Sequence, residues 1–224
     1  QEREQTAKWI QKDKKKIAAE IAKMDKERKA IDRKIKKMIS DAILAENKKR
    51  KAEQQAAAKK NGVTAPVKTT PVSSTKIELT PEGKLASDSF KANKGQLPWP
   101  TEKGNIYIPY GNSKHPEIKN LDVHNIGIDI KSESGAMARA VFNGEVTGVQ
   151  VSQYTGTYTV MIRHGDFFTS YSNLSSVSVS SGQKISTKQT LGKIKTNNLG
   201  FSVLKFTLAQ NTTSLNPKSW IAPR

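Results

Sequence analysis

The chain has 224 residues, with 38 Lys and Arg against 20 Asp and Glu, a formal net charge of +18 and no cysteine. The absence of cysteine excludes a disulfide scaffold, an iron–sulfur centre, a cysteine zinc site and a thiol nucleophile. No run approaches the 18 or so apolar residues that a membrane-spanning helix needs. The charge points first to a polyanionic partner. Residues 1–60, however, hold 20 basic and 10 acidic residues, leaving 18 and 10 for the rest. Because the excess is spread along the chain with no nucleic-acid-binding motif, a nucleic-acid partner is not expected. Gln1 opens inside a charged pattern, so the chain reads as a processed form or a piece, with any export signal outside it.

From Gln1 to Lys60 there is neither Pro nor Gly, and strong helix formers dominate. Ile10, Ile17, Met24, Ile31, Met38 and Ala45 recur at steps of seven, with Ile21, Ile35 and Ala42 as a companion seam, which is coiled-coil spacing. Lys14 and Arg28 interrupt the companion seam. A stripe this narrow needs a partner, expected to be another helix. Residues 61–80 are rich in Pro, Ser and Thr and predict a linker. Thr80-Pro81 is a helix start, with Thr as N-cap and Pro at the first position, predicting a short helix within 81–94.

Residues 104–224 change to short alternating runs broken by Gly, Asn and Ser, within a domain expected over 95–224. The stretches 144–152, 157–164 and 167–171 predict an antiparallel meander, with further strands near 177–179, 190–194 and 203–208. The fold class expected is α+β: a long N-terminal helix followed by a mostly antiparallel β domain.

Within that domain Gly95-Gln-Leu-Pro-Trp-Pro100, Asn125-Ile-Gly-Ile-Asp129, Ile162-Arg-His-Gly165, Tyr171-Ser-Asn-Leu174, Val179-Ser-Ser-Gly182, Leu204-Lys-Phe206 and Leu215-Asn-Pro217 occur in order. Together they resemble the lysostaphin/LytM-type zinc endopeptidase domain. The preceding helix and the Gly-x-Leu-Pro-Trp-Pro segment are similar to the murein hydrolase activator EnvC branch. Active members of the peptidase family carry His-x-x-x-Asp and His-x-His motifs that bind zinc and move protons. The resemblance places Asn125 at the first ligand, Asp129 at the second, Val203 at a catalytic His, Lys205 at the third ligand and Asn173 at the remaining catalytic His.

An ammonium has no lone pair for a metal and an amide is a weak ligand, while neither Val203 nor Asn173 can shuttle a proton. No metal or other cofactor is therefore expected. His124 adjoins Asn125 but should point to the opposite face of its strand, and His164 reads as a turn histidine. Lys205 is expected to stand in for the metal and contact Asp129 directly or through water, with Asn125 hydrogen-bonded nearby.

The resemblance implies a non-catalytic activator of murein amidases at the division site, periplasmic, with the degenerate groove (Asn125, Asp129, Asn173, Val203, Lys205) as docking surface. Tyr110, His115 and Tyr154 are expected at its rim. The helix is expected to receive a signal from the extracytoplasmic part of an FtsE–FtsX-type transporter. Either the 61–80 linker or the 81–93 helix is expected to fold over the groove. A peptidoglycan-binding module and a residual zinc endopeptidase using His124 or His164 are the alternatives.

Overall fold

A computed structural model describes residues 2–60, 72–117 and 121–224, with side chains of the first helix described continuously over 25–56. The first helix, α1 (Glu2–Lys60), is followed by α2 (Pro81–Ala92). Twelve strands come next: β1 (Asn105–Ile108), β2 (Gly111–Lys114), β3 (Asp122–Asn125), β4 (Ile128–Glu133), β5 (Met137–Arg139), β6 (Gly144–Val151), β7 (Tyr158–His164), β8 (Phe167–Val177), β9 (Lys184–Ile185), β10 (Thr190–Ile194), β11 (Phe201–Gln210) and β12 (Thr213–Leu215). A short 3-10 turn, Pro217–Ser219, closes the chain.

The main sheet runs β1-β4-β11-β8-β7-β6-β9, while β5, β10 and β12 pair off this path and β2-β3 form a separate hairpin. Every pairing between these strands is antiparallel. Strand alternation then sorts the side chains onto two faces. Leu204, Phe206 and Leu208 of β11, Phe167 and Tyr171 of β8, and Val160 and Ile162 of β7 enter the main core. The same strands turn Lys205, Thr207 and Ala209, Phe168, Ser170 and Ser172, and Thr159 and Met161 to the opposite face. In register these form cross-strand rows: Thr159, Ser172, Lys205 and Asp129 in one, Met161, Ser170 and Thr207 in the next, then Arg163, Phe168 and Ala209.

On the core side, α2 plugs the barrel-like end. Thr80 accepts from the Gly83 amide as its N-cap, and Phe90 is fully buried, stacking on His164 and Phe167 and contacting Phe142 and Trp220. Gly165 lies at φ +72, and a Cβ there would meet the Gly83 carbonyl at 2.5 Å. The His-Gly turn is thus fixed by how closely α2 approaches it.

On the opposite face lies α1. Ile35, Met38, Ile39 and Ile43 are buried with Met161, Phe168, Ala209 and Ile77, and Ile31 and Ala42 flank them. At about 1.5–3 kcal/mol per buried side chain, this apolar contact is the main attachment of the helix. The seam residues Ile31, Ile35, Met38 and Ala42 therefore find their partner in the chain's own sheet, not in the second helix expected from heptad spacing, whereas Ala45 is exposed. Ile10, Lys14, Ile17, Ile21 and Met24 lie outside the described side chains, as does the 61–71 part of the linker.

Candidate functional site

The row Thr159, Ser172, Lys205, Asp129 lies at the N-terminal end of the α1 interface, where Asp129 and Lys205 line a groove. It brings together the residues expected there. Asn125 ends β3 and is fully buried; its amide donates to Asp129 Oδ1 at 3.1 Å and to the Ile108 carbonyl at 3.4 Å, and its oxygen accepts from the Gly127 amide. Gly127 is required because a Cβ would lie 2.2 Å from the Phe206 carbonyl. This close approach of the Asn125–Asp129 segment to β11 sets Asp129 opposite Lys205.

Asn173 adopts φ 71, a conformation Asn tolerates better than most residues, at an irregularity in β8, and donates to the Val203 carbonyl at 2.7 Å. Asn173 and Val203 line the same cavity as Asp129 and Lys205, a space of about 210 Å³ that also touches His115 and Thr155.

Asp129 and Lys205 do not pair directly. Arg28 of α1 places a guanidinium nitrogen 3.1 Å from Asp129 Oδ2, and Asp32, one turn on, brings Oδ1 to 2.6 Å from Lys205 Nζ. In place of a direct contact between the two groove charges, each pairs with the helix, because an i,i+4 pair of opposite signs matches a cross-strand pair of opposite signs. The Asp129 and Lys205 side chains are only 7% and 8% exposed. Removing one partner would strand a buried charge, although the net stabilisation by each intact pair is small once desolvation is counted.

Among the described residues, neither segment expected to cover the groove does so, and residues 61–71 of the linker lie outside them. The described part of the linker, 72–80, runs beside the C-terminal half of α1, and α2 packs on the core face; α1 is the cover. Its signal in the sequence was Arg28, the charged interruption of the companion seam.

Of the rim residues, His115 lines the cavity, and its imidazole pKa is lowered, first by burial. Tyr154 is exposed on the β6–β7 turn. Tyr110 turns away, packing against the main core with its hydroxyl donating to the Ser214 carbonyl. Tyr107, which sequence reasoning did not single out, contacts His115 and Phe201 at the groove mouth, and burial followed by hydrogen bonding to Glu117 pushes its pKa up to about 12.

His124 is exposed and hydrogen-bonds Asn112, on the opposite strand face from Asn125. His164 is buried, bonds the Asn143 carbonyl and the Thr169 hydroxyl, and burial lowers its pKa to about 4. Donation from Nδ1 to that carbonyl sets the tautomer and burial keeps the ring neutral, so His164 is a core group.

These residues do not fit a catalytic zinc. The Asn125 oxygen already accepts an amide, its nitrogen faces Asp129, and Lys205 contributes a positive charge where a ligand is needed. Among the described residues no group of three or more His, Cys, Asp or Glu could hold a metal ion.

Residues 123–217 match the family model described as Peptidase family M23. This segment is similar to Peptidase family M23. Among solved structures, the chain is similar to one of the SpoIIQ–SpoIIIAH pore-forming complex (20% identity, TM-score 0.46, 58% of this chain and 92% of that one). Helicobacter pylori Csd3 gives 19% identity and a TM-score of 0.47 over 59% of this chain and 38% of its own. A zinc-containing peptidase from Vibrio cholerae gives 22% and 0.41 over 55% and 41%. The chain thus spans well under half of the Csd3 and Vibrio chains. Comparison with curated proteins gives no match. No described helix is long and apolar enough to cross a membrane.

Proposed function

We propose that the M23-like domain is a non-catalytic docking module whose groove, at Asn125, Asp129, Asn173, Val203 and Lys205, binds and activates a murein amidase, and that α1 closes this groove until the amidase is needed. The observation that carries the reading is the pairing of Arg28 and Asp32 with the two charges standing at former zinc-ligand positions. A groove covered by the chain's own helix and lacking a metal donor set is suited to binding rather than to turnover. Amidase and α1 compete for one surface, so activation requires the open state to be populated. The helix N-terminal to Arg28 is the element on which an FtsE–FtsX-type transporter would act, in the periplasm.

The test is dye release from labelled sacculi by amidases of the same organism, with the wild-type chain and with R28E/D32K, which repels α1 from the groove without altering the groove. Stimulation by the variant above wild type is expected. No stimulation of any amidase by either protein would refute the reading; binding of sacculi without amidase stimulation would favour a peptidoglycan-binding module.

A further inference from the structure

The α1 interface has two unlike halves. Over residues 28–34 the helix meets charged and hydroxylic groups, Asp129, Lys205, Thr159 and Ser172 forming the row beneath it, and Lys34 donates to the Val151 carbonyl. Over residues 38–47 it is held by buried Met38, Ile39 and Ile43, by the Glu46–Arg163 ion pair at 3.0 Å, and by Asn47.

Asn47 is 4% exposed and makes three hydrogen bonds to one short segment: its nitrogen donates to the Ser73 and Lys76 carbonyls, both at 2.9 Å, and its oxygen accepts the Glu78 amide at 2.8 Å. The same segment is gripped from the domain side, where Asn211 accepts the Ile77 amide at 2.9 Å and Ile77 itself is buried. Residues 73–78 are therefore a strap read through its backbone by one asparagine of the helix and one of the domain, the Asn211 contact at Ile77 falling between the Asn47 contacts at Lys76 and Glu78.

The geometry points to a hinge: α1 opens the groove by tilting about the Asn47 strap, with its anchor half retained, rather than by leaving the domain as a whole. The helix contains no Gly or Pro, so it moves as a rod and not by bending. Arg28 lies 19 residues from Asn47, so a tilt of roughly 15° lifts Arg28 about 7 Å, beyond ion-pair reach, while Ile43 shifts by about 1.5 Å and Met38, at the outer edge of the anchor half, by about 3.5 Å. The asparagine amide satisfies donors and acceptors together, so no apolar residue can replace it without orphaning three strap groups. This inference rests on α1 closing the groove, and not on what the groove binds.

The chain has no cysteine, so paired spin labels can be placed at exposed positions without background. One pair, at Lys29 and Asn198, reports the groove half; the other, at Lys48 and Ser181, reports the anchor half. In the intact chain carrying R28E/D32K, the first distance is expected to change by about 5 Å or more and the second by less than about 2 Å. Adding Asn47→Ala should broaden both distributions. Asn211→Gly, which suits the φ of 50 at that position but removes the acceptor, should do the same from the domain side. Equal movement of both pairs in R28E/D32K, no movement of either, or an anchor distance indifferent to both asparagine substitutions would overturn the hinge.

Discussion

The two faces of the central sheet are built from the same strands yet hold their cover in different ways. The core face seats Phe90, Phe167, Tyr171, Phe206 and Trp220 in one apolar cluster sealed by α2. The groove face changes along its length from Phe168, Met161 and Ala209 to Thr159, Ser172, Lys205 and Asp129, and its cover α1 follows that gradient from isoleucines to Arg28 and Asp32. A closure meant to be permanent would be apolar throughout, since buried ion pairs add little net stability. The polar end fits a cover that exchanges with another charged ligand.

Perturbing the core face should have the largest effect. Phe90→Ala removes a fully buried ring in contact with four aromatic neighbours and should cost about 3–5 kcal/mol in denaturant unfolding of the β domain. A loss below about 1 kcal/mol would break the distinction between the faces.

Acid should act on the same face. The His164 pKa is lowered to about 4 by burial, so the folded protein resists a proton that the unfolded chain accepts below about 6.5. Stability contributed by the neutral ring is therefore fully present above that unfolded value and is lost as pH falls from about 6.5 to about 4, on the order of 3 kcal/mol. His164→Gln should flatten that slope in pH-dependent unfolding.

On the groove face, Ile43→Ala should loosen the cover by about 2–4 kcal/mol. The loss should appear as faster amide exchange in α1 with little change in the β8 and β11 core amides. Smallest is the charge contact: a double-mutant cycle between Arg28 and Asp129 should give a coupling of about 0.5–3 kcal/mol, and an additive result would remove the pair from the description of the closed state.

Much of this architecture was legible in the sequence. The stretches 157–164 and 203–208 were read as strands and lie in β7 and β11, and the Thr80-Pro81 cap marks where α2 begins. The segment Asn125–Asp129 was readable because Gly127 is demanded by a close backbone approach. The cover was not legible. A heptad stripe states that a helix has an apolar face but not whether a helix or a sheet will bury it, and only the β domain's polar-to-apolar floor selects this one. The hairpin of β2 and β3 also escaped, because Gly111–Lys114 is polar and lacks alternation. Tyr110 was expected at the rim, yet the connection between β1 and β2 turns it towards the core.

The claim that α1 and a murein amidase compete for one groove is tested most directly by the affinity of the amidase for the intact chain and for R28E/D32K. Competition predicts binding at least about tenfold tighter to the variant, equivalent to about 1.4 kcal/mol of released closure. Equal affinities, or tighter binding to the intact chain, would contradict it.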